Sequence, residues 1–297
     1  MLRIGENLNV MVKTIGAAMK EKDPGPIRKL AEEEAEKGVD WIDINLGPAR
    51  KGGPELMEWI VKTVQEVVPD IPLALDTSNI EAIEAGLKVH KGRAMINSIM
   101  ARPERMEAMI PLAAQYNAQA IALLWGPSGM PRDENERSEL TVTLVSAMLE
   151  AGMAPEDIFL DPIMTPVNVQ QDQVKSMTTF MMMFPDLCDA LAPGMKSTCG
   201  LSNVSNGAPE HLRPILNQTY IVIIEKYGMY SAIVDAFDDD MTAFCKGERP
   251  EIKKLIEDIC DGNEPDPGSM TKEELDYMKT AKVLLGHSLY SDSWLEL

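Results

Sequence analysis

Residues 197–207, STCGLSNVSNG, run from an apolar segment into amides, hydroxyls and glycines with no charge among them. Of the eight positions 200–207, six are Gly, Ser or Asn, far more than a tight turn needs. Similar polar endings recur along the chain. "LRIGE" runs into Glu6, Asn7 and Asn9, "WIDINL" holds Asp43 and Asn45, and "PLALDT" leads to Asp76 and Asn79. "RAMINS" ends on Asn97 and Ser98, "IFLDPI" holds Asp161, "KSTCGLS" leads to Ser202 and Asn203, and "SAIVDAF" leads to Asp235 and Asp238. Carboxylates and primary amides accept and donate hydrogen bonds in a plane. They suit a flat heterocycle with a ring N–H and an exocyclic amino group, an edge that guanine-like and pterin rings share.

Other chemistries fit these residue types less well. Two aspartates could hold a hard cation, but no HxH or His-plus-carboxylate spacing accompanies them, and amides outnumber the anions that a tight Mg²⁺ or Ca²⁺ site requires. The polar endings include no histidine, no lysine placed for a Schiff base and no cysteine except Cys199 a few residues earlier, which disfavours nucleophilic catalysis. His90 and His287 fall near helix ends, and His211 lies in the loop after the seventh apolar run. Plainer roles exist for single residues: Asp76, Asn79 and Asp161 could cap helices, and Asn97 and Asn203 could form turns. Capping does not require that five separate segments each deliver Asp or Asn at the same end.

The elements that must position these groups follow from the alternation of the chain. Eight β-like runs, the seven above and "AIALLW", are each followed by a charged stretch of helical period. "PGPIRKLAEEEAEKG", with Pro26 near its start and Gly38 at its end, and "GPELMEWIVKTVQEVV" are examples. Runs that are apolar throughout suit a parallel sheet covered on both sides, and eight βα units predict a closed (β/α)8 TIM barrel, with chemistry at the carboxyl ends of its strands. "RPILNQTYIVIIEKYG" and "TKEELDYMKTAKVLLGH" are the last two helices of that scheme. An acidic, Pro- and Gly-containing excursion near 238–269 precedes the final helix, within a single domain spanning 1–297.

Composition narrows the partners. With 28 Lys and Arg against 47 Asp and Glu the formal charge is −19, so broad attraction to nucleic acid or to an anionic membrane is not expected. The four cysteines show no CxxC pairing, which predicts neither a zinc site nor a disulfide framework but reduced thiols in a cytoplasm. No stretch is long and apolar enough to span a membrane; "MTTFMMMF" is the nearest and reads as a core-facing helix.

Taken in order, "IGENLN", "DINLG", "LALDTSN", "AMINS", "FLDPI" and "GLSNVS" closely resemble the motifs of pterin-binding methyltransferases. In particular, the chain resembles methyltetrahydrofolate:corrinoid protein methyltransferases, related to the folate module of cobalamin-dependent methionine synthase and more distantly to dihydropteroate synthase. The resemblance extends over essentially the whole chain, including the terminal "LLGHSLYSDSW". It implies that Asp76, Asn97 and Asp161 hydrogen-bond the amino-pyrimidinone edge of the pterin and that Asn203, the catalytic residue, reaches N5. It further implies that Gly200 and Ser202 shape the floor and that Arg213 lies near the cleft or the glutamate tail. Tetrahydrofolate or methyltetrahydrofolate is then a substrate, and the cobalamin (corrinoid) is supplied by a partner protein, since the chain has no DxHxxG-like motif of its own. The family also implies a homodimer. The methyl group could move in either direction, toward a corrinoid iron-sulfur protein or from a demethylase corrinoid protein, and a non-catalytic folate-binding module remains an alternative. The chain departs from the pattern at Asn7, where the family usually carries arginine, in a longer "SNGAPEHLRP" loop, and in the acidic excursion. It lacks the conjunction of lysine and arginine with which dihydropteroate synthase binds pyrophosphate.

Overall fold

The computed structural model describes residues 1–296. Its strands are β1 (Leu2–Gly5), β2 (Trp41–Asn45), β3 (Leu73–Asp76), β4 (Met95–Met100), β5 (Gln119–Leu123), β6 (Ile158–Asp161), β7 (Lys196–Ser197) and β8 (Ser231–Val234). All pair in parallel, in the order β7-β6-β5-β4-β3-β2-β1-β8. The Ile233 N–H donates to the Cys199 carbonyl (2.8 Å) and Gly200 bridges to Ile233, which joins the two edges and closes the expected (β/α)8 barrel. Helices α1 (Lys13–Glu21), α2 (Pro24–Glu36), α3 (Gly53–Gln65), α4 (Ile80–Val89), α5 (Pro103–Gln115) and α6 (Glu134–Glu150) belong to the first half of the chain and its midpoint. They are followed by α7 (Val167–Leu191), α8 (Arg213–Lys226), α9 (Asp239–Lys246), α10 (Pro250–Cys260) and α11 (Lys272–Leu284).

The two faces of each strand have different work, set by the side-chain period of two. Ile4, Trp41, Ala74, Met95, Ile121 and Phe159 meet inside the barrel as one buried cluster, with Leu2 and Ile233 against it. Trp41 and Phe159 cross edge to face at 5.8 Å, and the Lys196 ammonium lies 5.0 Å from the Phe159 ring. Two residues further along each strand, the same interior face turns polar: Glu6 follows Ile4, Asp43 follows Trp41, Asp76 follows Ala74, Asn97 follows Met95, Asp161 follows Phe159 and Asp235 follows Ile233. Only β5 breaks the rule, carrying Leu123 opposite Asp161. The barrel is thus an apolar plug under a polar mouth.

The structure differs from the sequence expectations in three places. β7 is only two residues long, because after Ser197 the chain continues as a connector: the Thr198 N–H donates to the Leu160 carbonyl (2.9 Å), and residues Leu201–Ser205 then form a 3-10 turn. The uncharged cluster is that turn and its flanks. The excursion near 238–269 is largely helical, with Asp238 capping α9 through Met241 N (2.8 Å) and α10 burying Ile252, Ile256 and Ile259. Helix α1, in the loop after β1, has no counterpart in the sequence scheme. "MTTFMMMF" is inside α7 and buries Met177, Phe180, Met181 and Phe184 as expected, although Met182 and Met183 face outward.

Close packing leaves little slack where helices meet the sheet. A Cβ at Gly86 of α4 would lie 2.8 Å from both Leu75 Cδ1 and Met57 Cγ, and both neighbours are fully buried. Gly86→Ala should therefore lower stability by about 1–3 kcal/mol despite the better helix propensity of alanine. Urea denaturation with an unchanged or raised midpoint would show that this contact can yield.

Candidate functional site

The mouth is built from rows of side chains in register. Asn45, Asp76 and Asn97 are paired across β2, β3 and β4, so their side chains stand abreast on the interior face. Asn45 donates through Nδ2 to Asp76 Oδ2, and its Oδ1 accepts from Gly47 N (2.9 Å), so the amide is fixed at both ends. Deeper in the same wall, Asn97 Nδ2 donates to Asp43 Oδ1 at 3.0 Å. Asp161 ends β6 almost fully buried, with Oδ1 accepting from Ile163 N at 2.8 Å.

A second group gathers where β7, β8 and β1 meet. Ser202 Oγ donates to Glu6 Oε1 (2.6 Å), Asn7 Nδ2 donates to Asp235 Oδ1 (2.8 Å), and Asn7 Oδ1 accepts from Ala236 N (3.0 Å). A recess of about 180 Å³ lies among Glu6, Ser202, Arg213, Asn217, Asp235 and Asp238. Arg213 is half-buried there; its Nε donates to Ser205 Oγ (3.3 Å) and its Nη1 lies 3.6 Å from Glu210. A Cβ at Gly200 would come within 2.9 Å of Asn203 Nδ2, so a side chain there would push the Asn203 amide aside. Asn203 is exposed on the 3-10 turn, with Oδ1 accepting from Asn206 Nδ2 at 3.3 Å.

The electrostatics of the mouth are one-sided. Burial raises the Asp161 carboxyl to about 7, despite the bond from Ile163 N. Burial also raises Asp43 well above the carboxylate range, with the charge of Asp76 adding to it, and raises Asp76 and Glu6. Among the described residues no lysine or arginine forms an ion pair with Glu6, Asp43, Asp76 or Asp161. Buried carboxylates without cations are costly, and ligand N–H groups can relieve that cost. No set of three His, Cys, Asp or Glu among the described residues is arranged to hold a metal ion.

Of the residues singled out in the sequence, Asp76 and Asn97 come together in one row, Ser202 and Arg213 in the other group, and Asp161 stands on the wall between them. Neither Asp76 nor Asp161 caps a helix. Asn79 does: its Oδ1 accepts from Ala82 N (3.2 Å) at the start of α4, so the plainer reading accounts for it. Two contributors escaped the sequence reading. Glu34 is fully buried on α2, accepts from Asn7 N (3.1 Å) through Oε1, leaves Oε2 unpartnered, and is pushed up to about 8 by burial. Its signal was helical period: Ile27, Ala31 and Glu34 share the buried face. The Thr198 hydroxyl is likewise buried without a partner beside the mouth.

A parallel eight-stranded barrel with a carboxylate-and-amide mouth presents a wall of planar hydrogen-bond acceptors and amides. The "Pterin binding enzyme" family model matches residues 5–235, and the chain belongs to that family. It is similar to the methylcorrinoid:tetrahydrofolate methyltransferase of Eubacterium limosum, with 29% identity over 243 residues covering 81% of this chain and 87% of the relative. Among solved structures, a dihydropteroate synthase of Xanthomonas albilineans with 4-aminobenzoic acid superposes with a TM-score of 0.60 at 18% identity, covering 84% of this chain and 93% of that one. The Burkholderia cenocepacia dihydropteroate synthase gives 0.58 at 20%, covering 85% and 93%. These two likenesses concern the fold.

The ligand-free site makes a pH prediction. Asp161 has a folded-state value raised above its ordinary one, so the folded protein binds more protons than the unfolded chain between about pH 4 and 7, and stability falls as pH rises through that window. Asp161→Asn should flatten this fall and stabilise the ligand-free protein at pH 8. Thermal unfolding at pH 5 and pH 8 with and without the substitution tests it; a slope unaltered by Asp161→Asn contradicts it.

Proposed function

We propose that this protein is a methyltransferase moving a methyl group between N5 of tetrahydrofolate and the cobalt of a corrinoid carried by a partner protein. The observation that carries this reading is the row Asn45, Asp76, Asn97 with Asp161 on the same interior face: fixed acceptors and amides, no cation, and a ring edge of N–H donors as their natural complement. Asp76, Asn97 and Asp161 would hold the amino-pyrimidinone edge. Gly200 would allow close approach, Ser202 would orient Glu6, and Arg213 would face the glutamate tail. Asn203 would meet N5. The name of the Eubacterium limosum relative supports the direction from methylcorrinoid to tetrahydrofolate.

In that direction the N5 lone pair attacks the methyl carbon, the cobalt–carbon bond breaks with both electrons left on cobalt as Co(I), and the positive charge formed at N5 is discharged by loss of its proton. An uncharged amide suits both ends of this path: Asn203 Oδ1 can accept from the protonated nitrogen and Nδ2 can donate to the free one. A cation at this position would oppose the developing charge. A donor or acceptor helps only if its bond strengthens in the transition state, and an amide on an exposed turn is free to follow N5.

The partner would dock over the mouth. Met11 (85% exposed), Val12, Trp125 and Phe237 lie in the segments that follow β1, β5 and β8, and Val169 (73%) lies in the first turn of α7 after β6, so exposed apolar side chains stand at the carboxyl ends of several strands. Residues 1–297 are taken as one domain because α10 packs on α8 and α11. A cytoplasmic homodimer belongs to the same proposal; the four free thiols suit a reducing compartment, and among the described residues no helix is long and apolar enough to cross a membrane.

Mixing the purified chain with tetrahydrofolate and methylcobalamin, or with methyltetrahydrofolate and Co(I) cobalamin, and following the cobalt spectrum tests the reaction. Tight folate binding with no cobalt conversion in either direction would leave a binding module instead. Asn203→Ala should lower transfer by about 10²–10³-fold with folate binding largely kept; near-normal turnover in the folded variant removes Asn203 from catalysis. Met11→Glu should raise KM for the methylcorrinoid protein by about tenfold and leave the folate Kd as it is, and an unaltered KM would move the docking surface elsewhere.

A further inference from the structure

Arg137 of α6 is fully buried yet touches no carboxylate. Its Nε donates to the Pro162 carbonyl (2.9 Å), Nη1 to Ser176 Oγ (3.0 Å) and Nη2 to Gln173 Oε1 (3.1 Å). Ser176 Oγ passes its own hydrogen to Glu134 Oε2 (2.9 Å), and Gln173 Nε2 donates to the Arg132 carbonyl (2.6 Å). Burying a guanidinium whose hydrogen bonds all go to neutral acceptors, with the Glu134 and Asp133 carboxylates acting only at a distance, is expensive, and burial lowers its proton affinity. Simple packing is better served by an apolar side chain.

The peptide that Arg137 holds is informative. Its carbonyl belongs to Pro162 and its N–H to Ile163, and that N–H donates to Asp161 Oδ1 at 2.8 Å. A planar trans peptide points its oxygen and hydrogen in opposite directions, so one rigid unit stands between the guanidinium and the carboxylate. Proline contributes no N–H, which makes Ile163 the first donor after Asp161. The conformation is strained: Ile163 is β-branched yet has φ 67°, in the left-handed region. Rotating the peptide would relieve the strain and withdraw the N–H from Asp161. The cation also polarises the peptide and strengthens its N–H as a donor.

We propose that Arg137 is a positioning residue for substrate binding: by gripping the Pro162 carbonyl it holds Ile163 in its left-handed conformation, so that the Asp161 carboxylate keeps one oxygen tied and presents the other to the pterin edge. This rests on the folate reading of the site, and the wild-type protein separates the two. If the wild type binds no reduced folate, that reading fails; if it binds and the variants below behave as wild type, only the present inference fails.

The test is a cycle between Arg137→Met and Ile163→Gly, reading tetrahydrofolate Kd by titration calorimetry, KM for folate and for the methylcorrinoid donor, and thermal unfolding. Arg137→Met should weaken folate binding by about 30-fold, with KM for the methylcorrinoid donor within about twofold of wild type. The acid limb of folate binding should move to higher pH, because a carboxylate that has lost a donor protonates more easily. Adding Ile163→Gly should restore folate binding to within about threefold of wild type, since glycine adopts positive φ without strain, while the stability lost with the guanidinium stays lost. Should Arg137→Met not fold, Gln173→Met releases one guanidinium N–H at a half-buried position and should show the same pattern at about threefold. Recovery by glycine distinguishes this role from general packing. Unaltered folate binding in a folded Arg137→Met or Gln173→Met protein overturns the proposal, as does loss of binding that Ile163→Gly does not repair.

Discussion

The structure depends on one unfavourable arrangement: carboxylates buried in the barrel mouth with, among the described residues, no ion pair to meet their charge, Arg213 being the one cation that shares a recess with any of them, Glu6. Asp43, Asp76 and Asp161 lie on the interior wall, Glu6 joins them from β1, and Glu34 stands behind β1 with one oxygen unpartnered. Gly5 is part of this arrangement, since a Cβ there would come within 2.5 Å of Glu34 Oε1. Apolar residues of similar size would pack the same volume at lower cost, so stability does not explain these groups. A ligand with several N–H donors does, because each donor that meets a carboxylate replaces the solvation that burial removed.

The rest of the barrel makes that cost bearable. Below the carboxylates the interior is filled by Trp41, Met95, Ile121 and Phe159, and outside it α4 packs tightly on α3 and on β3. Except on β5, the change of character takes two residues, the smallest step that keeps a side chain on the same face. A polar mouth can therefore sit directly on a rigid plug, and the positions of Asp76 and Asn97 are set by sheet register and not by loops. Asn203 is the exception, on an exposed 3-10 turn, and in the proposed reaction it is the group that would follow a moving charge.

How legible was this in the sequence? Strand-end residues were readable because each stands at the close of a short apolar run, and parallel register then brings them level. Asn79 was ambiguous for the same reason and is a helix cap. Glu34 and Arg137 were not recognised, because charge on a helix ordinarily means solvent, and only the helical period of Ile27, Ala31 and Glu34, or of Arg137, Thr141 and Leu144, places them inward. Their partners are distant in sequence: Asn7 for Glu34, Pro162 for Arg137. The brevity of β7 was also hidden, since "KSTCGLS" has strand composition, and the closing bond between Cys199 and Ile233 takes over where the ladder stops.

On the proposed reaction, the unfavourable mouth has a consequence beyond binding. Ligand-free, burial shifts these carboxyls toward their protonated forms, and the mouth carries less charge than its residues suggest. A pterin edge that donates hydrogen bonds favours the ionised forms and so turns the mouth negative as it seats. Methyl transfer in either direction passes through a state in which N5 bears positive charge, and a preorganised negative field in a water-poor site stabilises that state more than the neutral amine. Ring recognition and activation of N5 are then one electrostatic event at opposite ends of the same ligand. An uncharged Asn203 suits this: Arg213 already shares the recess with Glu6, and a second cation, on the 3-10 turn itself, would oppose the field that the buried carboxylates supply.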